Sequence, residues 1–93
     1  MHTIPGLRDR LEELITQDEY WLSSTPFNRR MLASPIRQHL DDVEALMPDA
    51  SWPLGRDLLE DQRLWLEERT DLKPNTHRNY DRAFKAFAAE VTA

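Results

Sequence analysis

Cysteine is absent from the 93 residues, which excludes disulfides and thiolate metal centres and leaves the fold to rest on apolar packing. Only two glycines occur, Gly6 and Gly55, too few for a glycine-rich loop that wraps phosphates. Uninterrupted apolar runs stop at three or four residues, far short of the ~20 that cross a bilayer. The opening Met1-His2-Thr3-Ile4-Pro5-Gly6 has neither the basic head nor the apolar stretch of a secretory leader. His2 also stands where N-myristoylation requires glycine. These absences describe a soluble chain with no membrane partner, suited to a reducing cytoplasm. Its length fits one small domain whose stability amounts to a few kcal/mol.

Catalytic chemistry is equally short of material. His2, His39 and His77 are far apart in sequence and form no H-x-x-x-H pair, so no metal site is expected. His39, beside Asp41 and Asp42, reads as a partly buried or surface histidine. No G-x-S-x-G occurs, and the serines sit at caps and loops, where bonding to backbone accounts for them. The neighbouring carboxylates Asp41-Asp42 and Glu67-Glu68 point in different directions on a helix and cannot share a substrate. Neither an enzyme nor a cofactor is expected.

What is present is helical periodicity from end to end, and no segment alternates as a strand would. Leu7, Leu11, Leu14 and Ile15 make a first stripe, with Arg8, Asp9, Glu12 and Glu13 opposite. Thr3 ahead of Pro5 marks the start, and Tyr20, Trp21 and Leu22 close the helix. Ser23-Ser24-Thr25-Pro26 reads as a break with Thr25 as N-cap, leading to a short turn with Phe27, Met31 and Leu32 as apolar contacts. Ser34-Pro35 repeats the signal and predicts a restart in a new direction, with Ile36, Leu40, Val43 and Met47 on one face flanked by Leu46. Residues 48–55, with two prolines and a glycine, read as the clearest loop and the one hinge. A further helix is predicted from about Arg56 to Arg69, with Leu58, Leu59, Trp65 and Leu66 inward. After the break at residues 70–74, Tyr80, Phe84, Phe87, Ala88 and Val91 share one stripe and belong to the core. The fold class is all-α: one domain over residues 1–93, a bundle of four to five helices. Residues 1–50 form acidic N-terminal helices, and residues 56–92 form a hairpin from the last two.

Charge divides the chain. Residues 1–68 carry seven arginines and fourteen carboxylates, a net of −7, whereas residues 69–93 carry five basic and three acidic side chains, a net of +2. The overall −5 argues against non-specific nucleic-acid binding by the chain as a whole. Only the C-terminal end is suited to a phosphate backbone.

That end also carries a resemblance. Leu64-Trp65-Leu66-Glu67-Glu68-Arg69, then Leu72-Lys73-Pro74-Asn75-Thr76-His77-Arg78-Asn79-Tyr80, then Arg82, Phe84 and Phe87, resembles the hairpin that opens the core-binding domain of tyrosine recombinases (phage integrases). In that family the domain is a SAM-like helical clamp on one side of the duplex. The resemblance implies a non-catalytic module of a DNA recombination or integration system, an N-terminal piece or degenerate relative of a recombinase. It assigns double-stranded DNA as partner and Lys73, His77, Arg78, Arg82 and Lys85 as candidate backbone contacts, which position a protein without reading sequence. Tyr80 is then a core residue of the hairpin and not a nucleophile. Lys73 cannot accept a backbone N–H, which makes Asn75 the alternative cap, starting the helix a turn later.

The residues support a second reading, a free-standing acidic protein, of phage or mobile-element type, that covers the basic surface of a protein partner. Its candidates are Asp41, Asp42 and Glu44, then Glu60, Asp61, Glu67 and Glu68. Trp52, between two prolines, is the tryptophan expected to be exposed and to anchor the contact. A homodimer would be a third way of covering apolar surface.

Overall fold

The computed structural model describes residues 1–17 and 26–91, with the side chains of residues 26–28 outside that description. Among the described residues four helices form a small all-α bundle: α1 (Ile4–Gln17), α2 (Pro26–Leu46), α3 (Gly55–Glu67) and α4 (Pro74–Glu90). The readings of Tyr20, Trp21 and Leu22 as a helix closure, of Thr25 as a cap and of Phe27 as an apolar contact lie outside the described residues.

Helix α1 begins as its sequence predicts. Thr3 Oγ1 accepts the backbone N–H of Gly6 at 3.2 Å, so one of the four donors orphaned at a helix start is satisfied. Ile4, Leu7, Leu11 and Leu14 are fully buried, and Ile15 packs against the same core. The polar face does more than meet solvent. Arg8 reaches across to α2, pairing with Asp41 at 2.5 Å and Glu44 at 2.8 Å, while Arg37 of α2 pairs back to Glu12.

Helix α2 corrects the expected break at Ser34-Pro35. It runs unbroken past Pro35, and Pro35 is buried between Ala33 and Ile36. Proline removes one intrahelical N–H, but Ala33, Ile36, His39 and Leu40 on either side sit inside the core. Burial of that stripe outweighs one lost bond. The last turn of the helix leaves the core: Leu46 is 82% exposed and Met47 is 59% exposed, so Met47 is not a core residue.

The loop over residues 48–55 is not a free hinge. Ser51–Trp52 pairs antiparallel with His2–Thr3, Trp52 opposite His2 and Thr3 opposite Ser51, a two-stranded ribbon too short to show in any alternation. Trp52, expected to be exposed, is only 5% exposed, and its indole N–H donates to Asp61 at 2.5 Å. An aromatic ring buries more apolar area than a flanking proline can hold out in solvent.

Helices α3 and α4 form the predicted hairpin. Asp57 in the first turn of α3 accepts the Leu54 backbone N–H at 3.0 Å, half of a capping box. The Arg56–Arg69 expectation is shifted by a residue or two to Gly55–Glu67. A Cβ on Gly55 would lie 2.3 Å from the Val91 carbonyl oxygen, so the start of α3 rests against the end of α4 and the two run antiparallel. In α4, Pro74 takes the first position directly after Lys73. Asn75 is therefore inside the helix and not its cap, because proline's fixed φ is already helical. Phe84 and Phe87 are fully buried at the centre, each stabilising the fold by about 1.5–3 kcal/mol. They meet Leu58 and Leu66 of α3, Ile36 and Leu40 of α2 and the leucines of α1 in one core.

Candidate nucleic-acid interface and a second cleft

Helical geometry puts Arg78, Arg82 and Lys85 along one stripe of α4, with His77 a step round and Lys73 at the N-terminus. Lys73, Arg78, Arg82 and Lys85 are exposed and His77 is half-buried. They are not equally free. Lys85 is held by Asp81 at 2.8 Å, and Asp81 also meets Arg63 of α3 at 3.6 Å. The hydrogen-bonded Lys85 ammonium holds the Asp81 carboxyl below the ordinary carboxylate range. Arg78 donates to the Asn75 amide oxygen at 3.2 Å, a neutral partner that leaves its charge uncompensated. Among the described residues Lys73, Arg78 and Arg82 enter no ion pair.

The start of α4 adds a backbone feature to this face. Lys73 supplies no side-chain cap, and the first helical amide returned to backbone is His77, to the Lys73 carbonyl at 2.9 Å. The N–H groups of Asn75 and Thr76 therefore point out of the helix end, where the helix dipole favours an anion. Beside them lies a shallow cleft of about 670 Å³ lined by Leu72, Pro74, His77, Arg78 and Asp81.

The acidic candidates are mostly occupied. Asp41 and Glu44 hold Arg8, and these hydrogen-bonded carboxylates, Glu44 foremost, raise its already high pKa further. Asp42 accepts the Trp65 indole N–H at 2.7 Å, and Asp61 accepts that of Trp52. Glu60, Glu67 and Glu68 are exposed and enter no ion pair among the described residues. Arg69, next in sequence, is turned inward: its guanidinium lies 5.0 Å from the Trp65 ring centroid and pairs with Asp71 at 3.0 Å.

A second cleft, of about 390 Å³, opens where the end of α2, the ribbon and α3 meet. His39 lines it. This histidine, expected to be partly buried or at the surface, is 1% exposed, and it is ringed by Trp65, Trp52 and Phe84 at centroid distances of 5.8, 6.0 and 6.2 Å. Burial drives its pKa from 6.5 to about 4, against the opposing pull of Asp61 and Asp42. The imidazole is therefore neutral at neutral pH, and its Nδ1 has no hydrogen-bond partner among the described residues. Gln62 is also fully buried, with both amide atoms unpartnered. The signal for both was the period: His39 falls with Ile36, Leu40 and Val43, and Gln62 falls between Leu58 and Leu66.

No group of three or more His, Cys, Asp or Glu among the described residues could hold a metal ion, and none of their helices is long and apolar enough to cross a membrane. No protein-family model, curated protein or solved structure matches the chain.

Proposed function

We propose that this chain is a non-catalytic helical module of a DNA recombination or integration system, holding the sugar–phosphate backbone of a duplex against the N-terminal half of α4. The observation that carries the reading is the uncapped start of α4, with Lys73, Arg78 and Arg82 exposed around it and free of ion pairs among the described residues. Backbone N–H groups and guanidinium forks are the usual donors to phosphate oxygens. The resemblance of residues 58–91 to a recombinase hairpin supports the same face. Lys85 contributes less, because Asp81 already compensates it. Of the acidic alternative's carboxylates, Asp41 and Glu44 are paired with Arg8, Asp42 and Asp61 accept indole N–H groups within the chain, and its expected anchor Trp52 is buried.

The test is fluorescence anisotropy of a labelled ~30 bp duplex at two salt concentrations. Neutralising roughly three to four phosphates gives a log–log salt slope of about −3 to −4. Reversal of Arg78 and Arg82 to Glu should abolish binding while the helical circular dichroism is retained. Absence of binding by the unaltered chain at ~20 mM salt, a concentration at which electrostatics are screened weakly, sinks the proposal.

A further inference from the structure

The cleft around His39 is not part of the α4 face, and its chemistry is of the opposite sign. Its floor is aromatic, from Trp52, Trp65 and the neutral His39 ring, and its rim carries the carboxylates of Asp61 and Glu68. Among the described residues that line it there is no lysine or arginine; the nearest cation, Arg69 over the Trp65 ring, is already paired with Asp71. Asp61 is anchored by the Trp52 indole, so one oxygen is fixed in place while the carboxylate keeps its charge. Glu68 is exposed and makes no side-chain bond among the described residues. The unpartnered, buried Nδ1 of His39 adds a polar atom that the fold itself does not use. In the tautomer that leaves its lone pair there, it accepts a further N–H.

Such a site suits a cation on an apolar stem. Carboxylates on the rim meet the charge, the aromatic rings attract it through their faces, and an apolar wall takes the methylenes. The chain already shows this preference, since Arg69 lies over the Trp65 ring. Met47 lines the cleft with its side chain exposed, and Leu46, next to it in sequence, is exposed as well. These exposed side chains offer a contact to an apolar neighbour of an incoming basic side chain. We propose that the cleft receives an arginine or lysine side chain presented, together with an apolar neighbour, by a segment of a partner protein. The complementary charge is what selects this occupant over an acidic peptide or a nucleic acid.

The experiment is a ¹H–¹⁵N titration of the whole chain, following the indole N–H signals of Trp52 and Trp65. The probes are the capped tripeptide Leu-Arg-Leu, the same peptide with Gln for Arg, capped arginine amide alone, and a short DNA duplex. The arginine tripeptide should move both indole signals saturably. The glutamine peptide should bind at least about fivefold more weakly, the size of a partly desolvated cation–π contact. Capped arginine amide should be weaker than the tripeptide by about tenfold, reflecting the lost burial of two leucines on the Leu46–Met47 surface. Glu68→Gln, at an exposed position with no packing role, should weaken the tripeptide about threefold without altering the free spectrum elsewhere. Equal binding of the Arg and Gln peptides overturns the cationic assignment. Equal binding of tripeptide and amide overturns the protein-segment assignment. Indole shifts with DNA and not with peptide overturn both, whereas DNA shifts confined to α4 concern the duplex proposal alone.

Discussion

Two buried polar side chains, His39 and Gln62, depart most from the rule that interiors are apolar or paired. For Gln62 the consequence is direct. An amide desolvated without partners costs about 1–3 kcal/mol, and methionine has nearly its shape and none of its polarity. Gln62→Met is expected to stabilise the chain by about 1–2 kcal/mol, measured as a rise in urea midpoint at constant m; an unchanged or lower midpoint would show that the amide is paired in solution. For His39 the consequence is a pH dependence. Burial lowers its pKa in the fold to about 4, from 6.5, so the unfolded chain takes up the proton first. Its contribution is complete above pH 6.5 and is lost as pH falls towards 4. Over that window the loss is about 3 kcal/mol. Asp71, whose carboxyl is lowered by its hydrogen bond to Arg69, loses its contribution only below the ordinary carboxylate value, so the two effects separate on the pH axis. Urea unfolding between pH 4 and 7 should show the slope in the native chain and a flatter profile in His39→Gln.

Helices α3 and α4 are held by more than their apolar stripes. At Gly55 the backbone of α3 comes so close to the last turn of α4 that a Cβ would stand 2.3 Å from the Val91 carbonyl oxygen and 3.3 Å from that of Ala88. Neither atom is the end of a flexible side chain, so the helices themselves must part. Gly55→Ala is expected to destabilise the chain by about 1–3 kcal/mol, despite alanine's better helix propensity, and to broaden the amide signals of α4; a stabilised variant would show that the hairpin is looser than this. Much at the element level was legible from residue spacing. The stripes of α1, α3 and α4 appear in the core as their 3.6-residue period requires. Sequence spacing failed where a tertiary force overrode a local preference. Pro35 promised a break, but the buried faces before and after it keep α2 whole. Trp52 stood between loop-forming prolines, but strand pairing with His2 and a bond to Asp61 draw it inward. The uncapped end of α4 was half legible, since lysine visibly cannot cap; that Pro74 would still start the helix there depended on proline's own φ.

The described residues span 33 × 30 × 20 Å, and that size decides which charges a duplex approaching α4 can feel. At ~0.01 M salt the screening length is about 30 Å, comparable with the whole molecule, so the carboxylates elsewhere on the chain, which bring its net charge to −5, weaken the attraction that Lys73, Arg78 and Arg82 exert on the duplex. At ~0.15 M the length is about 8 Å and only the stripe itself acts. Duplex binding should therefore respond to salt with a plateau at the lowest concentrations, where added ions screen repulsion and attraction together, before falling at the slope set by the phosphates contacted. Glu60, Glu67 and Glu68 are the natural place to separate the two effects, being exposed and outside every ion pair among the described residues. Their joint replacement by Gln reduces the net charge from −5 to −2 and leaves α4 unaltered. In that variant the plateau should vanish, affinity at ~0.01 M salt should rise by roughly three- to tenfold, and affinity at ~0.15 M should stay within about twofold of the unaltered chain. An equal gain at both salt concentrations would mean that the three glutamates lie at the DNA surface itself, which would move the interface from α4 to α3.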